Sequence, residues 1–136
     1  MVRILIAEAE ALIASFLEKA LRRDGFITDV AADGVEALYL ARSGRYALVV
    51  LDLSLRDIDG PEVLALLRAE TPALPVVVLS GRRTPDDRAL GLDGATEYMT
   101  KPFGVDDLLE RVQRLLRDEA DTVEPIARDN PAERVW

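Results

Sequence analysis

The sequence predicts an α/β fold in which a parallel sheet is covered by helices on both faces. Short apolar runs, typical of buried parallel strands, alternate with stretches of helical periodicity, and this alternation occurs five times. Strand–helix units at this spacing imply right-handed crossovers between parallel strands. The chain has 136 residues, of which 49% are hydrophobic, so it can bury one sizeable core.

The predicted strands differ in how deeply they should be buried. They cover residues 2–7, 26–30, 46–51, 76–79 and 96–100. The first, third and fourth runs are almost wholly apolar, which is typical of central strands covered on both faces. The second and fifth runs contain more polar residues, as strands near a sheet edge do.

The predicted helices carry start signals, stop signals or an apolar stripe. Gly25 ends the first helix. Asp33 and Glu36 form a capping pair for the second helix. Gly60-Pro61 begins the third, where the missing N–H of proline costs no hydrogen bond, and Thr84 supplies a hydroxyl cap for the fourth. The fifth helix is marked by apolar residues on one face: Leu108, Leu109, Val112, Leu115 and Leu116.

The composition changes from Asp118 onward. This last segment is acidic at its start, contains two prolines and has no apolar periodicity, which is typical of a linker or frayed tail. We therefore expect one domain over residues 1–118 and a linker or disordered tail over residues 119–136.

Composition also excludes several classes of function. The sequence has no cysteine and no histidine, which excludes a disulfide framework, thiol or imidazole catalysis and the usual zinc sites. A net charge of −8 argues against nucleic-acid binding by this chain alone, because phosphate contacts need clustered Lys and Arg. No apolar stretch reaches the ~18 residues of a membrane span and no signal sequence begins the chain, so we expect a cytoplasmic protein.

Three polar residues follow strand-like runs: Asp52, Ser80 and Lys101. Because strand ends in an open α/β sheet border the ligand crevice, these side chains should meet at one rim. A carboxylate can attack phosphorus, a hydroxyl can donate to a phosphoryl oxygen, and an ammonium can neutralise the charge that develops on transfer. The trio therefore predicts a site that forms and senses an aspartyl phosphate.

Several motifs, taken in chain order, resemble the response-regulator receiver domain of two-component signalling. They are residues 3–10, the strand ending in Asp52, Asp59-Gly60, residues 77–81 and residues 98–103. Each motif is weak alone, but together and at nearly the family's spacing they are specific. The resemblance implies a flavodoxin-like (βα)5 three-layer sandwich with a five-stranded parallel sheet of order 2-1-3-4-5. It also implies a domain that is not an enzyme, beyond catalysing its own aspartyl phosphorylation and dephosphorylation.

The resemblance assigns a phosphoacceptor and a metal site. Asp52 matches the phosphoacceptor, and Glu8 matches the first member of an acidic pair that usually holds magnesium through water. Ser54 matches the position whose backbone carbonyl binds the same ion. Mg²⁺ keeps several waters, so few protein ligands are needed. Without the resemblance, Glu8 would be interpreted as a surface charge.

The resemblance also assigns a switch. Ser80 matches the hydroxyl switch residue, and Tyr98 matches the aromatic residue that changes rotamer with it. Lys101 matches the lysine that pairs with the acids at rest and with the phosphoryl group after transfer. Pro102 is expected to follow a cis peptide bond in a tight loop.

The sequence departs from the family pattern at the metal site. Ala9 stands where the family has a second Asp that binds magnesium directly, and a methyl group cannot coordinate a cation. We therefore expect weak Mg²⁺ binding. The alternative is a degenerate or disabled receiver that recognises partners without phosphorylation. Two smaller departures are Arg56, which replaces a usual proline and should loosen its loop, and a segment over residues 90–95 that is one residue short.

The resemblance implies a histidine kinase as partner. In winged-helix regulators of the OmpR type, the fourth helix, fifth strand and fifth helix form a symmetric dimer face. Glu97 and Arg111 lie where a cross-dimer pair is common, although an ordinary charged surface is the alternative. Exposed pairs contribute about 0–1 kcal/mol each, so a homodimer would also need an apolar patch. The tail resembles a linker to a DNA-binding domain.

A third class is a hydrolase that uses Asp52 as a nucleophile on external phosphate substrates. Such an enzyme needs a second acid two residues after the nucleophile. Ser54 stands at that position, which argues against this class.

Overall fold

The computed structural model describes residues 1–81 and 95–123, with side chains as far as residue 117. Its strands are β1 (Arg3–Ala7), β2 (Ile27–Ala31), β3 (Leu48–Asp52), β4 (Val76–Ser80) and β5 (Glu97–Thr100). All neighbouring strands pair in parallel, in the order β2-β1-β3-β4-β5. The predicted fold class and strand order are confirmed.

The central strands are those that the sequence predicted to be most apolar. Every residue of β3 and β4 is buried, and in β1 only Arg3 is partly exposed. The edge strands β2 and β5 are mostly half-buried. This difference follows from position, because a central strand of a parallel sheet is covered by helices on both faces.

Four helices are described: α1 (Ala11–Arg23), α2 (Gly34–Ala41), α3 (Gly60–Glu70) and the C-terminal helix (Val105–Val123). Gly25 follows α1 with φ of 95°, a left-handed conformation that glycine adopts without steric cost.

The N-terminus of α2 shows the predicted local cap. Oδ1 of Asp33 accepts a hydrogen bond from the N–H of Glu36 at 2.8 Å. The side chain of Glu36 accepts from the N–H of Ala32 at 3.0 Å, so it reaches one residue further back than in a standard capping box.

The hydrophobic core has two halves, one on each face of the sheet. The first half joins α2 and α3 to the sheet through Leu5, Val49, Val78, Leu38 and Leu64. The second half joins α1 and the C-terminal helix to the sheet through Ile4, Val50, Leu79, Leu17 and Val112. Successive residues of a strand enter opposite halves because side chains alternate across a sheet. The result is the three-layer sandwich that the resemblance implied.

Two expectations about the chain's later part need comment. The predicted fourth helix, which begins at Thr84, and most of the shortened segment over residues 90–95 lie outside the described residues. The C-terminal helix continues to Val123, so its last five residues fall within the segment that was expected to be a linker or tail. The composition boundary at Asp118 marks the loss of apolar periodicity, but residues such as Glu119 and Ala120 favour a helix without it.

Within residues 1–81 and 95–123, no helix is both long enough and apolar enough to cross a membrane.

Candidate functional site

The predicted site residues meet at the carboxyl edge of the sheet. The parallel register places Glu8, Asp52 and Ser80 at the ends of three adjacent strands. Lys101 follows β5, and its backbone N–H donates to the carbonyl oxygen of Ser80 at 2.8 Å. The peptide bond between Lys101 and Pro102 is cis, as predicted.

Lys101 bridges two buried carboxylates. Its Nζ lies 3.1 Å from Oε1 of Glu8 and 3.4 Å from Oδ1 of Asp52. Glu8 is 1% exposed and Asp52 is 2% exposed. Burying a carboxylate is costly unless a partner compensates its charge, and Lys101 is that partner for both acids. Glu8 is therefore an interior residue of the site and not a surface charge.

Burial and neighbouring charges shift the pKa values of Glu8 and Lys101. Burial raises the pKa of Glu8 above its ordinary 4.5, and a hydrogen bond with Asp52 raises it further. The N–H of Glu10, which donates to Oε2 of Glu8 at 3.2 Å, acts in the opposite direction, as does Lys101. Burial alone would lower the pKa of Lys101, but attraction to Asp52 and Glu8 outweighs burial and raises it. Lys101 is therefore held as a cation, while Glu8 takes up a proton more readily than a solvated glutamate.

Ser80 and Tyr98 lie on adjacent strands. Ser80 is buried at the end of β4, and the register pairs it with Thr100 of β5. Tyr98 pairs with Val78, two residues earlier on β4, and packs half-buried against the core half formed with α2 and α3. Ser80 and Tyr98 are therefore on neighbouring strands, two register positions apart.

The loop after Asp52 folds tightly over the end of β3. The N–H of the exposed residue Ser54 donates to Oδ1 of Asp52 at 3.2 Å. Gly60, at the other end of the loop, lies so close to Leu53 that an added Cβ would be 2.4 Å from the Leu53 Cα. Only glycine fits there, which explains the Asp59-Gly60 motif in physical terms.

Asp57 anchors the same loop to α2. Its Oδ1 accepts from the N–H of Gly34 at 2.7 Å, and its Oδ2 accepts from the N–H of Val35 at 3.0 Å. These bonds lower the pKa of Asp57, and they satisfy helix-start donors that have no partner within the helix. Asp57 therefore fastens to α2 the same loop that Arg56 was expected to loosen. Sequence reasoning missed Asp57 because its donors lie more than 20 positions away.

The rim supplies oxygen donors of the kind that Mg²⁺ prefers. Glu8 and Asp52 offer carboxylates, and Ser54 lies directly beside Asp52. Ala9 is half-buried against the core and offers only a methyl group. Among the described side chains, no group of three or more acids lies close enough together to hold a metal ion. The rim thus offers two carboxylates, and Mg²⁺, which keeps several of its waters, needs only one or two from a protein.

Glu97 and Arg111 contact each other within one chain. NH1 of Arg111 donates to Oε1 of Glu97 at 2.8 Å, and Nε donates to Oδ1 of Asp107 at 3.1 Å. Arg114 approaches the same Glu97 oxygen at 3.4 Å. These partly exposed pairs are screened by water and contribute little individually. The predicted fourth helix, which would complete this face, lies outside the described residues.

Known proteins share both the sequence pattern and the fold. Residues 4–113 match the family model described as the response regulator receiver domain. The transcriptional regulatory protein TctD of Salmonella typhimurium is 42% identical over 125 residues, which cover 91% of this chain and 56% of TctD. The chain thus spans little more than half the length of this curated relative.

Solved structures show the same likeness. The receiver domain of the Francisella response regulator 1452 has a TM-score of 0.81 and 34% identity, covering 87% of this chain and 98% of that chain. The response regulator protein TrrA of Thermotoga maritima, solved in complex with Mg²⁺-BeF, has a TM-score of 0.77 and 34% identity, covering 85% and 99%. Because the family model covers most of the chain and the fold agrees, this chain belongs to the receiver domain family of two-component response regulators.

Proposed function

We propose that this receiver domain accepts a phosphoryl group on Asp52 from a histidine kinase or a small phosphate donor. The observation that supports this most strongly is the buried Asp52 carboxylate with the Nζ of Lys101 at 3.4 Å. Asp52 provides an oxygen nucleophile, and Lys101 provides a cation for the charge of the transferred group. Ser80, at the adjacent strand end, provides a hydroxyl donor.

The transfer would proceed by displacement at phosphorus. An oxygen of Asp52 forms a bond to phosphorus while the bond from phosphorus to the donor's nitrogen or oxygen breaks. The nitrogen or oxygen atom of the donor keeps the electron pair of the broken bond. It then takes up a proton from water if it is basic enough to do so. Hydrolysis of the aspartyl phosphate would release inorganic phosphate and restore Asp52. The domain would thus catalyse only its own phosphorylation and dephosphorylation.

Magnesium would be held by Glu8, Asp52 and the backbone carbonyl of Ser54. When bound, it would neutralise charge on the phosphoryl oxygens. TrrA, which shares this fold, was solved with Mg²⁺-BeF, which supports a magnesium-assisted site here. Ala9 removes one direct ligand, so we propose that the affinity is weak.

The signal would leave through the face that contains β5 and the C-terminal helix. Capture of the phosphoryl group by Ser80 and Lys101 would bias the position of Tyr98 and hence the surface near Glu97 and Arg111. A homodimer through this face would require Arg111 to exchange its bond within the chain for one across the dimer.

The relationship to TctD supports an output in transcription. TctD is a transcriptional regulatory protein, and this chain matches only 56% of its length. We propose a regulator of the OmpR type in the cytoplasm, in which residues 1–118 are the receiver and DNA is contacted by a different domain. Residues 119–136 would belong to the segment that links the two.

The test is incubation with acetyl phosphate and Mg²⁺ followed by intact mass measurement. Wild type and Ala9→Asp should both gain one phosphoryl group, Ala9→Asp at lower Mg²⁺, and Asp52→Asn should gain none. A second candidate, an interaction module that works without phosphorylation, is favoured by Ala9. It would replace the first if wild type gains no mass at any Mg²⁺ concentration while Ala9→Asp does.

A further inference from the structure

We propose that Asp57 is a positioning residue for the phosphoacceptor site. It fixes the position of the loop that follows Asp52 (the Asp52 loop) relative to Glu8. This inference rests on the proposed function, because it concerns the placement of the proposed magnesium ligands. It assigns a role to a side chain that touches neither the metal nor the phosphoryl group.

The first step is the attachment of the loop to α2. Asp57 binds the N–H groups of Gly34 and Val35 with separate oxygens, while Asp33 binds that of Glu36. A Cβ added to Gly34 would lie 2.9 Å from Cβ of Ile58 and 3.2 Å from Oδ1 of Asp57. The loop therefore sits directly on the start of the helix, where the helix dipole also favours a carboxylate.

The second step is the attachment of Glu8 to the same segment. The backbone N–H of Glu8 donates to the carbonyl oxygen of Ala31 at 3.0 Å. Ala31 ends β2, three residues before the Gly34 N–H that Asp57 binds. The short segment from Ala31 to Val35 thus connects the backbone of Glu8 on one side with the Asp52 loop on the other.

The third step is the consequence for metal binding. The proposed ligands Glu8 and Ser54 lie on the two parts that this segment joins. Because Ala9 supplies no ligand, binding depends more heavily on the placement of the remaining donors. Partners that orient metal ligands typically change affinity by about 10–100-fold when they are removed.

The experiment compares Asp57→Ala and Asp57→Asn with Asp59→Ala. Asp59 is an exposed acid of the same loop whose side chain makes no capping hydrogen bond, so its removal is a matched charge control. Mg²⁺ is titrated into each protein without any phosphoryl donor, in both the native and the Ala9→Asp background. The NMR shift of the Ser54 amide gives the Mg²⁺ concentration at half saturation, and melting temperature is measured in parallel.

Asp57→Ala should raise the half-saturating Mg²⁺ concentration about 10-fold. Asp57→Asn should raise it less, because its single carbonyl oxygen still accepts one of the two N–H bonds. It also keeps the test informative if Asp57→Ala does not fold. Asp59→Ala should leave the value unchanged.

Three results would overturn the inference. One is a lower melting temperature for both Asp57 variants with unchanged Mg²⁺ saturation, which would show a purely structural role. Another is an equal effect of Asp59→Ala, which would show that charge and not position matters. The third is no Mg²⁺ binding in either background. Failure of wild type to gain a phosphoryl group would instead contradict the proposed function, and the Mg²⁺ titration is independent of that result.

Discussion

Nζ of Lys101 lies 3.4 Å from Oδ1 of Asp52, at a position where Asp52 is only 2% exposed. The lysine also contacts Glu8, so one cation serves two buried acids. This arrangement offsets the charges of both acids, and it places a positive charge beside the proposed nucleophile.

Lys101→Ala should lower the free energy of unfolding by about 3 kcal/mol, because removing one partner of a buried ion pair leaves the other charges uncompensated. Urea denaturation in metal-free buffer at neutral pH measures this. Lys19→Ala removes an exposed lysine of α1 and serves as the control. Equal losses in the two variants would contradict the role of the buried bridge.

The raised pKa of Glu8 predicts a dependence of stability on pH. A carboxyl group whose pKa is higher in the folded state binds its proton more tightly there, so its stabilising contribution is present below 4.5 and is lost as pH rises through the raised value. Glu8→Gln removes this titration. In metal-free buffer, the variant should therefore gain stability relative to wild type as pH rises above 4.5. The melting temperature of each protein is measured as a function of pH, with the exposed Glu10→Gln variant as control. A difference between Glu8→Gln and wild type that does not change with pH would count against this interpretation.

Ala9→Asp should destabilise the metal-free protein and strengthen magnesium binding. A third carboxylate near Glu8 and Asp52 adds repulsion on the order of 1 kcal/mol. The same group should improve Mg²⁺ affinity by at least about 10-fold. Melting temperature is measured with and without Mg²⁺. A higher melting temperature for Ala9→Asp without metal would show that this view of the acid cluster is wrong.

Beryllofluoride, a phosphoryl mimic, should reveal the coupling between Ser80 and Tyr98. With one metal ligand missing, the mimic supplies little differential free energy and the resting arrangement should dominate. On addition of beryllofluoride, the NMR signals of Tyr98 and of the C-terminal helix should shift weakly in wild type and strongly in Ala9→Asp. Equal, saturating shifts in both proteins would show that Ala9 leaves the switch intact.

Much of the fold and the rim could be predicted from sequence. Apolar runs located the strands because burial on both faces leaves few polar positions, and the strand ends then placed Asp52 and Lys101 together. Longer-range side-chain bonds could not be predicted in this way. Arg68 of α3 donates a hydrogen bond to Thr96, which precedes β5, and Asp57 accepts one from the N–H of Gly34. Sequence periodicity gives no sign of either contact.

Local sequence patterns also could not predict which individual charged side chains are buried. Glu8 follows an apolar strand as many surface acids do, and only the position of Lys101 in the folded chain explains why it is interior. The C-terminal helix extends past Asp118 because helix formation needs no apolar stripe in its last turns.

The most direct test of the central claim locates the phosphoryl group. After treatment with acetyl phosphate and Mg²⁺, borohydride reduction converts an aspartyl phosphate to homoserine, which peptide mass spectrometry can assign to one residue. We predict conversion at Asp52 in wild type and in Ala9→Asp, to a greater extent in the latter. Conversion at a different acid, or none in either protein, would contradict the assignment of Asp52 as the phosphoacceptor.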